Sequence, residues 1–180
     1  MEKNVTLRDG RTLTVYRPRA ADAAELLDYI KIVGGETDFL LMDGNGLPIT
    51  VEREAELLES FYQWKRGGFF TGRIDGEIAC TLSVSFHTRT RRAHICELAI
   101  AVKKKFWGIG VGSALMELAI NTAREDGART MELSVYADNV RARALYERFG
   151  FVQVGEHKNR LLVNGVYHDE IMMDLYFEQE

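Results

Sequence analysis

The chain has 180 residues, 46% of them hydrophobic and 28% charged, which is enough apolar material for one good core and ordinary for a globular protein. Acidic residues outnumber basic ones 27 to 23, and a formal charge of −4 argues against a general nucleic-acid binder. No apolar run reaches membrane-spanning length and the first residues, MEKNVTLRDGRT, hold no apolar signal core, so the expectation is a cytoplasmic protein away from membranes.

The elements read as follows. Residues 13–17 form a first strand, ended by Pro18. Residues 20–33 carry helical periodicity through Ala23, Leu26, Leu27 and Ile30, and Gly34-Gly35 is expected to stop that helix. Residues 34–49 are irregular, with a turn cluster at 43–46. A second helix runs from Thr50 to about residue 65. Strands 69–74 and 78–86 flank Asp75-Gly76, a hairpin signal. Residues 95–102, ICELAIAV, form an apolar strand interrupted only by Glu97. A glycine-rich turn and a long helix follow, with Val111, Ala114, Leu115, Leu118 and Thr122 on one face. Then come a buried strand at 131–136, a short helix after Asn139, a strand beginning at 151–155, and a final strand at 167–176 after an Asn164-Gly165 hairpin. The whole chain, 1–180, reads as a single domain without repeats or linkers. Cys80 and Cys96 lie in apolar runs and read as buried thiols rather than a disulfide framework, and no Cys/His cluster has the spacing of a metal site.

The turn 107–112, Trp-Gly-Ile-Gly-Val-Gly, joins that apolar strand to the long helix. Missing Cβ atoms let backbone approach a ligand, and the first N–H groups of the helix point at one spot, which suits a phosphate. A Walker loop is excluded, because Gly112 is followed by Ser113 with no Lys. A dinucleotide turn fits poorly, since its third glycine position falls on Ser113 or Leu115, although Glu132 lies where a ribose-binding acid would sit. Three consecutive hairpin-linked strands before the turn also speak against a parallel dinucleotide sheet.

The third reading is a resemblance. Ala101-Val102 followed by Trp107-Gly108-Ile109-Gly110-Val111-Gly112 and Ser113 resembles the pyrophosphate loop of GNAT N-acetyltransferases, Gln/Arg-x-x-Gly-x-Gly/Ala, with Trp107 where the family usually has Arg or Gln. Asn139, Ala142, Leu145, Tyr146, Gly150 and Phe151 match the family segment Asn-x-x-Ala-x-x-Leu-Tyr-x-x-x-Gly-Phe. The resemblance extends from about residue 11 to 177. It implies an α/β (α+β) GNAT fold: a mixed, mostly antiparallel sheet with one parallel pair, strands 95–102 and 131–136, splayed apart. It implies acetyl-CoA as cosubstrate and no metal, with the pantetheine arm along Ile100, Ala101 and Val102. The phosphates would lie on the turn from Trp107 to Ser113, with Asn139, Ala142, Arg143 and Tyr146 beside the coenzyme.

Acetyl transfer to an amine needs a neutral amine, oriented reactants, donors for the carbonyl oxygen and a proton for the departing thiolate. The resemblance makes Tyr146 the acid. The base is open between Glu97, an acid in an apolar strand; His94, which falls where some histone acetyltransferases of this fold carry their Glu; Glu132; and a water chain. Lys103-Lys104-Lys105 reads either as a solvated face or as an attractor of phosphates. In this fold the acceptor is selected by the segments corresponding to 36–49 and 157–170. Glu36, Asp38, Asp43, Asp169 and Glu170 make both acidic, and Phe39 and Tyr167 supply apolar walls. The expected acceptor is an amine-bearing small molecule or a peptide N-terminus, and a homodimer is compatible with the reading. The alternative class is an acyl-CoA-binding sensor of the same fold without turnover.

Overall fold

The computed structural model describes residues 2–178. Its first element, strand β1 (Lys3–Thr6), is absent from the hydrophobic pattern and pairs antiparallel with β2 (Thr12–Tyr16). β1 is almost wholly exposed, so it carries none of the alternation that marks a half-buried strand. The legible trace of this hairpin is Asp9-Gly10, where Gly10 takes a φ of +86°.

Helix α1 (Ala23–Glu36) runs through Gly34-Gly35 instead of stopping there. Gly34 answers a need for space: a Cβ at this position would overlap the Asp43 carbonyl oxygen, so the loop after α1 lies directly on the helix. Helix α2 (Val51–Tyr62) is capped by Thr50, whose hydroxyl accepts from the Arg53 N–H at 3.2 Å. The two helices close a small core of Ala23, Leu26, Tyr29, Leu58 and Ile78.

β3 (Gly68–Ile74) and β4 (Glu77–Phe86) form the expected hairpin, with positive φ at both Asp75 (51°) and Gly76 (84°), as a two-residue turn of this hand requires. β5 (Ile95–Val102), α3 (Val111–Glu125), β6 (Thr130–Tyr136), α4 (Val140–Arg148), β7 (Val152–Val163) and β8 (Val166–Tyr176) complete the chain. β7 is far longer than its apolar start suggests, because its outer half is an exposed ribbon that pairs only with β8.

The strands form one sheet in the order β1-β2-β3-β4-β5-β6-β8-β7. Among the described strands, β5–β6 is the one parallel pair. It lasts only three rungs, from Ile95↔Thr130 to Glu97↔Glu132. Beyond Glu97 the strands part: β5 stays on β4 and β6 on β8. α3 and α4 cover one face through Cys96, Leu98, Leu115, Met116, Met131 and Tyr146, while α1 and α2 cover part of the other. This mixed topology overturns the dinucleotide alternative, which needs a mostly parallel sheet rather than one short parallel pair among antiparallel strands.

Candidate active site

The cleft between the parted strands is built by backbone. Lys103 N–H donates to the Ala79 carbonyl at 2.9 Å and His87 N–H to the Ile95 carbonyl at 3.2 Å. In an antiparallel ladder these groups alternate, so odd-numbered β5 residues bond to β4 and even-numbered ones point toward β6; the Glu97↔Glu132 rung takes the Leu98 N–H, and the Leu98 carbonyl and the main-chain groups of Ile100 and Val102 face the cleft. Ala101 therefore differs from its neighbours: its carbonyl points away and accepts from the buried Tyr29 hydroxyl at 2.8 Å. The Val102 carbonyl is taken by the Trp107 indole N–H at 2.7 Å.

At the end of β5 the chain makes a single helical turn, Lys104–Phe106, and enters the glycine loop. Gly108 (φ +84°) and Gly110 (φ +105°) sit in the left-handed region, and the space where a Gly108 Cβ would project is open. The first intrahelical bond of α3 runs from Ala114 N–H to the Gly110 carbonyl. The N–H groups of Val111, Gly112 and Ser113 thus precede the ladder and converge on the loop. The open space over Gly108 and these orphan donors fit a diphosphate. Ile109 packs against the main core.

α4 is held beside this loop. Asn139 Oδ1 accepts from the Ala142 N–H at 3.1 Å, so its side chain serves as the helix cap. A Cβ on Gly112 would stand 3.1 Å from Leu145 Cδ2, so Gly112 lets α4 approach the start of α3. Tyr146 follows Leu145, is 9% exposed, and packs its ring 5.9 Å from that of Phe151. Among the described residues its hydroxyl has no hydrogen-bond partner. Burial pushes its pKa up to about 12. Arg143 reaches back to the Ala137 carbonyl at 3.2 Å, toward the end of β6.

Glu97 is the last β5 residue paired to β6. Its neighbours Cys96 and Leu98 are buried toward α3, so its exposed side chain lies on the opposite face, that of α1 and α2. It has no ion pair or hydrogen bond among the described residues. Glu132, its Cα partner across the pair, is engaged: His87 Nε2 lies 2.7 Å from its carboxylate and Arg92 donates at 3.0 Å. His94 precedes β5, exposed, at the end where β5 and β6 are joined. The strand rise puts it roughly 10 Å behind Glu97 and farther still from the open cleft.

In the lysine run Lys104 and Lys105 are exposed, as a solvated face would be, whereas Lys103 is buried. Lys103 is 7% exposed, lies over the Tyr29 ring and comes within 4.0 Å of Glu77, and Lys105 pairs with the same carboxylate. Lys104 gives its backbone N–H to Glu36 at 2.7 Å, tying the end of α1 to the start of the turn.

The loop after α1 and the β7–β8 hairpin meet over the far end of β6. They line a hollow of about 300 Å³ with Asp38, Leu40, Met42, Tyr136 and Leu161. Of the acids in these segments, Glu36 is tied to Lys104, Asp43 caps its own turn at Asn45, and Asp169 binds Lys158 at 2.9 Å. Glu170 pairs with Arg160 at 3.8 Å, and it and Asp38 lie beside Tyr136, whose pKa is raised by burial and by these two carboxylates. Tyr136 was missed in the sequence because a strand-end aromatic reads as core.

A splayed parallel pair that opens onto a glycine-cradled helix start defines an acyl-CoA-binding transferase fold. The model of the family described as Acetyltransferase (GNAT) matches residues 40–151, and the chain belongs to that family. A GNAT-family acetyltransferase structure from Streptococcus pneumoniae is 30% identical with a TM-score of 0.87, over 92% of this chain and 99% of that one. The L-amino acid N-acetyltransferase AaaT of Escherichia coli (strain K12) is 36% identical over 104 residues, 56% of this chain and 62% of that protein. The chain thus spans less than two thirds of that relative. The structure of yncA from Salmonella typhimurium with its cofactor acetyl-CoA is 16% identical with a TM-score of 0.80, over 93% and 95% of the two chains, and shows the likeness of fold. Among the described residues no group of His, Cys, Asp and Glu is arranged to hold a metal ion, and no helix is long and apolar enough to cross a membrane.

Proposed function

We propose that this protein is an acetyl-CoA-dependent N-acetyltransferase acting on a primary amine of a small molecule or peptide N-terminus. The observation that carries the reading is the cleft itself: the Leu98 carbonyl and the main-chain groups of Ile100, unpaired beyond the last β5–β6 rung, between the glycine loop and the unpartnered Tyr146 hydroxyl. The loop N–H groups from Val111 to Ser113 would hold the diphosphate, and the β5 edge would hold the pantetheine arm as an added strand holds its neighbour. Acetyl-coenzyme A would supply the thioester.

The rest is done by side chains from the two faces of the sheet. Glu97, on the α1–α2 face, takes a proton from the incoming ammonium. The neutral amine then forms the new C–N bond to the acetyl carbon as the C–S bond breaks. Tyr146, from the α3–α4 face, gives its O–H proton to the departing sulfur, and the second proton shed by the acylated nitrogen returns the phenolate to a phenol. A pKa of about 12 keeps that phenol protonated at neutral pH, as an acid requires. AaaT acts by name on L-amino acids, which supports an amine acceptor here. The hollow walled by Leu40, Met42 and Tyr136, with Asp38 and Glu170 beside it, suits a cationic amine carrying an apolar group.

A panel of amines with acetyl-CoA, read by release of free thiol, tests the proposal. Amine-dependent release on at least one member is expected. Tight acetyl-CoA binding with no release on any amine would point to the sensor reading instead.

A further inference from the structure

The hollow at the far end of β6 has the wrong charge for a free amino acid. Its inner wall is Tyr136, which is 7% exposed. The preceding residue, Val135, is buried in the core under α3 and α4, so Tyr136 stands on the opposite face of the sheet, the face that carries Glu97. Phe39 meets the Tyr136 ring edge-on at 5.8 Å. Leu41 from the loop after α1 and Leu162 from β7 also line the hollow and are left largely exposed. The Tyr136 hydroxyl lies 3.5 Å from the Leu40 carbonyl, longer than the roughly 2.5–3.0 Å of a good O–H···O bond. A buried polar group so poorly paired is open to a ligand.

Among the described residues that line the hollow there is no Arg, Lys or His, and two are carboxylates, Asp38 and Asp43. Glu170, the partner of Tyr136 across the β6–β8 ladder, adds a third beside it. The cations of the bordering hairpin are engaged: Arg160 with Glu170, Lys158 with Glu156 and Asp169, and His168 with Asp138. An ammonium is attracted into such a site. A carboxylate would meet like charges there and no cation to balance it. At about 300 Å³ the hollow has room for one ring on a short arm rather than for several residues of peptide. A third aromatic ring would extend the edge-to-face packing of Phe39 and Tyr136.

We propose that the acceptor is a small arylalkylamine without a carboxylate, and that Asp38 and Glu170 make the hollow reject free α-amino acids. The inference rests on the reading of the chain as an N-acetyltransferase. It sets the chain apart from AaaT, which acts by name on L-amino acids.

Initial rates at saturating acetyl-CoA, read by thiol release, test it on phenethylamine, L-phenylalaninol and L-phenylalanine. The three share a ring and a primary amine, and the alcohol matches the amino acid in shape without its charge. For the wild type at low salt, kcat/KM should be roughly ten- to a hundredfold lower for L-phenylalanine than for the other two, and the gap should narrow as ionic strength rises. Asp38→Asn combined with Glu170→Gln should narrow it by roughly three- to tenfold, chiefly through the KM of L-phenylalanine. Thermal unfolding of that variant separates a lost charge from a lost fold. L-Phenylalanine used as well as L-phenylalaninol, or a gap unchanged in the folded double variant, would overturn the inference and leave the transferase reading standing. A Phe-Ala-Ala amide preferred over phenethylamine would overturn it in favour of a peptide N-terminus. Release on none of these amines or on any other would overturn the transferase reading and the inference together.

Discussion

The Trp107 indole N–H and the Val102 carbonyl are joined by a 2.7 Å hydrogen bond that folds the glycine loop back on the strand it leaves. The bond consumes one of the main-chain acceptors that β5 turns toward the cleft. Trp107→Phe keeps an aromatic surface for Arg141 and removes the donor. It should cost about 1 kcal/mol in denaturant unfolding, the usual net worth of such a bond. Acetyl-CoA affinity should fall with it, because the loop loses its anchor. Unchanged stability and affinity would show that the bond positions nothing.

Tyr146→Phe deletes one O–H and preserves the packing against Phe151. If that donor serves the leaving sulfur, turnover should drop by roughly 10²–10⁴-fold with acetyl-CoA binding nearly unchanged. The pH behaviour gives a second readout. The phenol's pKa is 10.0 when free and about 12 in the fold, so its contribution to stability is whole below pH 10 and is lost as pH rises toward 12. The phenylalanine variant should lose less stability than wild type across that window. Wild-type turnover in the variant, with chemistry rate-limiting, would end the assignment.

Glu97→Gln should lower turnover at neutral pH and recover part of the loss at high pH, where the amine sheds its proton unaided. The residue is exposed and has no partner, so the fold should be unaffected. Glu132→Gln makes the contrast, since its carboxylate is already held by His87 and Arg92. A pH–rate profile identical to wild type in Glu97→Gln would leave the proton to water.

Gly34→Ala drives a methyl group into the Asp43 carbonyl and its neighbours, which line the hollow proposed for the acceptor. Overpacking of this kind costs about 1–3 kcal/mol. The acceptor KM should rise by a larger factor than the acetyl-CoA dissociation constant, because the displaced loop borders the acceptor side. Equal shifts in both would mean that the loop does not bound the acceptor.

Cys80 and Cys96 are free, buried thiols whose pKa is raised from 9.0 to about 12 by burial. Few thiolates exist at about pH 8, so a disulfide reagent should titrate neither thiol in the native protein and both after denaturation. Fast labelling of either thiol in native protein would contradict their burial.

Much of this molecule was legible from local chemistry. The Asp75-Gly76 and Asn164-Gly165 hairpins need positive φ at both turn residues, and few sequences supply that. β5 and the start of α3 were bounded by composition alone. The glycine loop and the Asn139 helix form contiguous motifs, so the residues proposed for the coenzyme could be named from the sequence. What stayed hidden depends on contacts between distant segments. Gly34-Gly35 reads as a helix stop, but only the loop folded onto it shows that Gly34 supplies space. The lysine run reads as one charged face, but the chain rotates between residues and a single carboxylate, Glu77, draws Lys103 and Lys105 away from the loop. Five acids were expected to mark the acceptor side, and the partners that occupy Glu36, Asp169 and Glu170 come from other segments of the chain. Glu132 and Glu97 are alike in one dimension and differ in the fold because His87 and Arg92 reach only one of them. Sequence determines what each segment can form and which groups it carries. Which of those groups remain free to meet a ligand is decided by long-range packing, because a charge or donor is available only after its neighbours in space have been chosen.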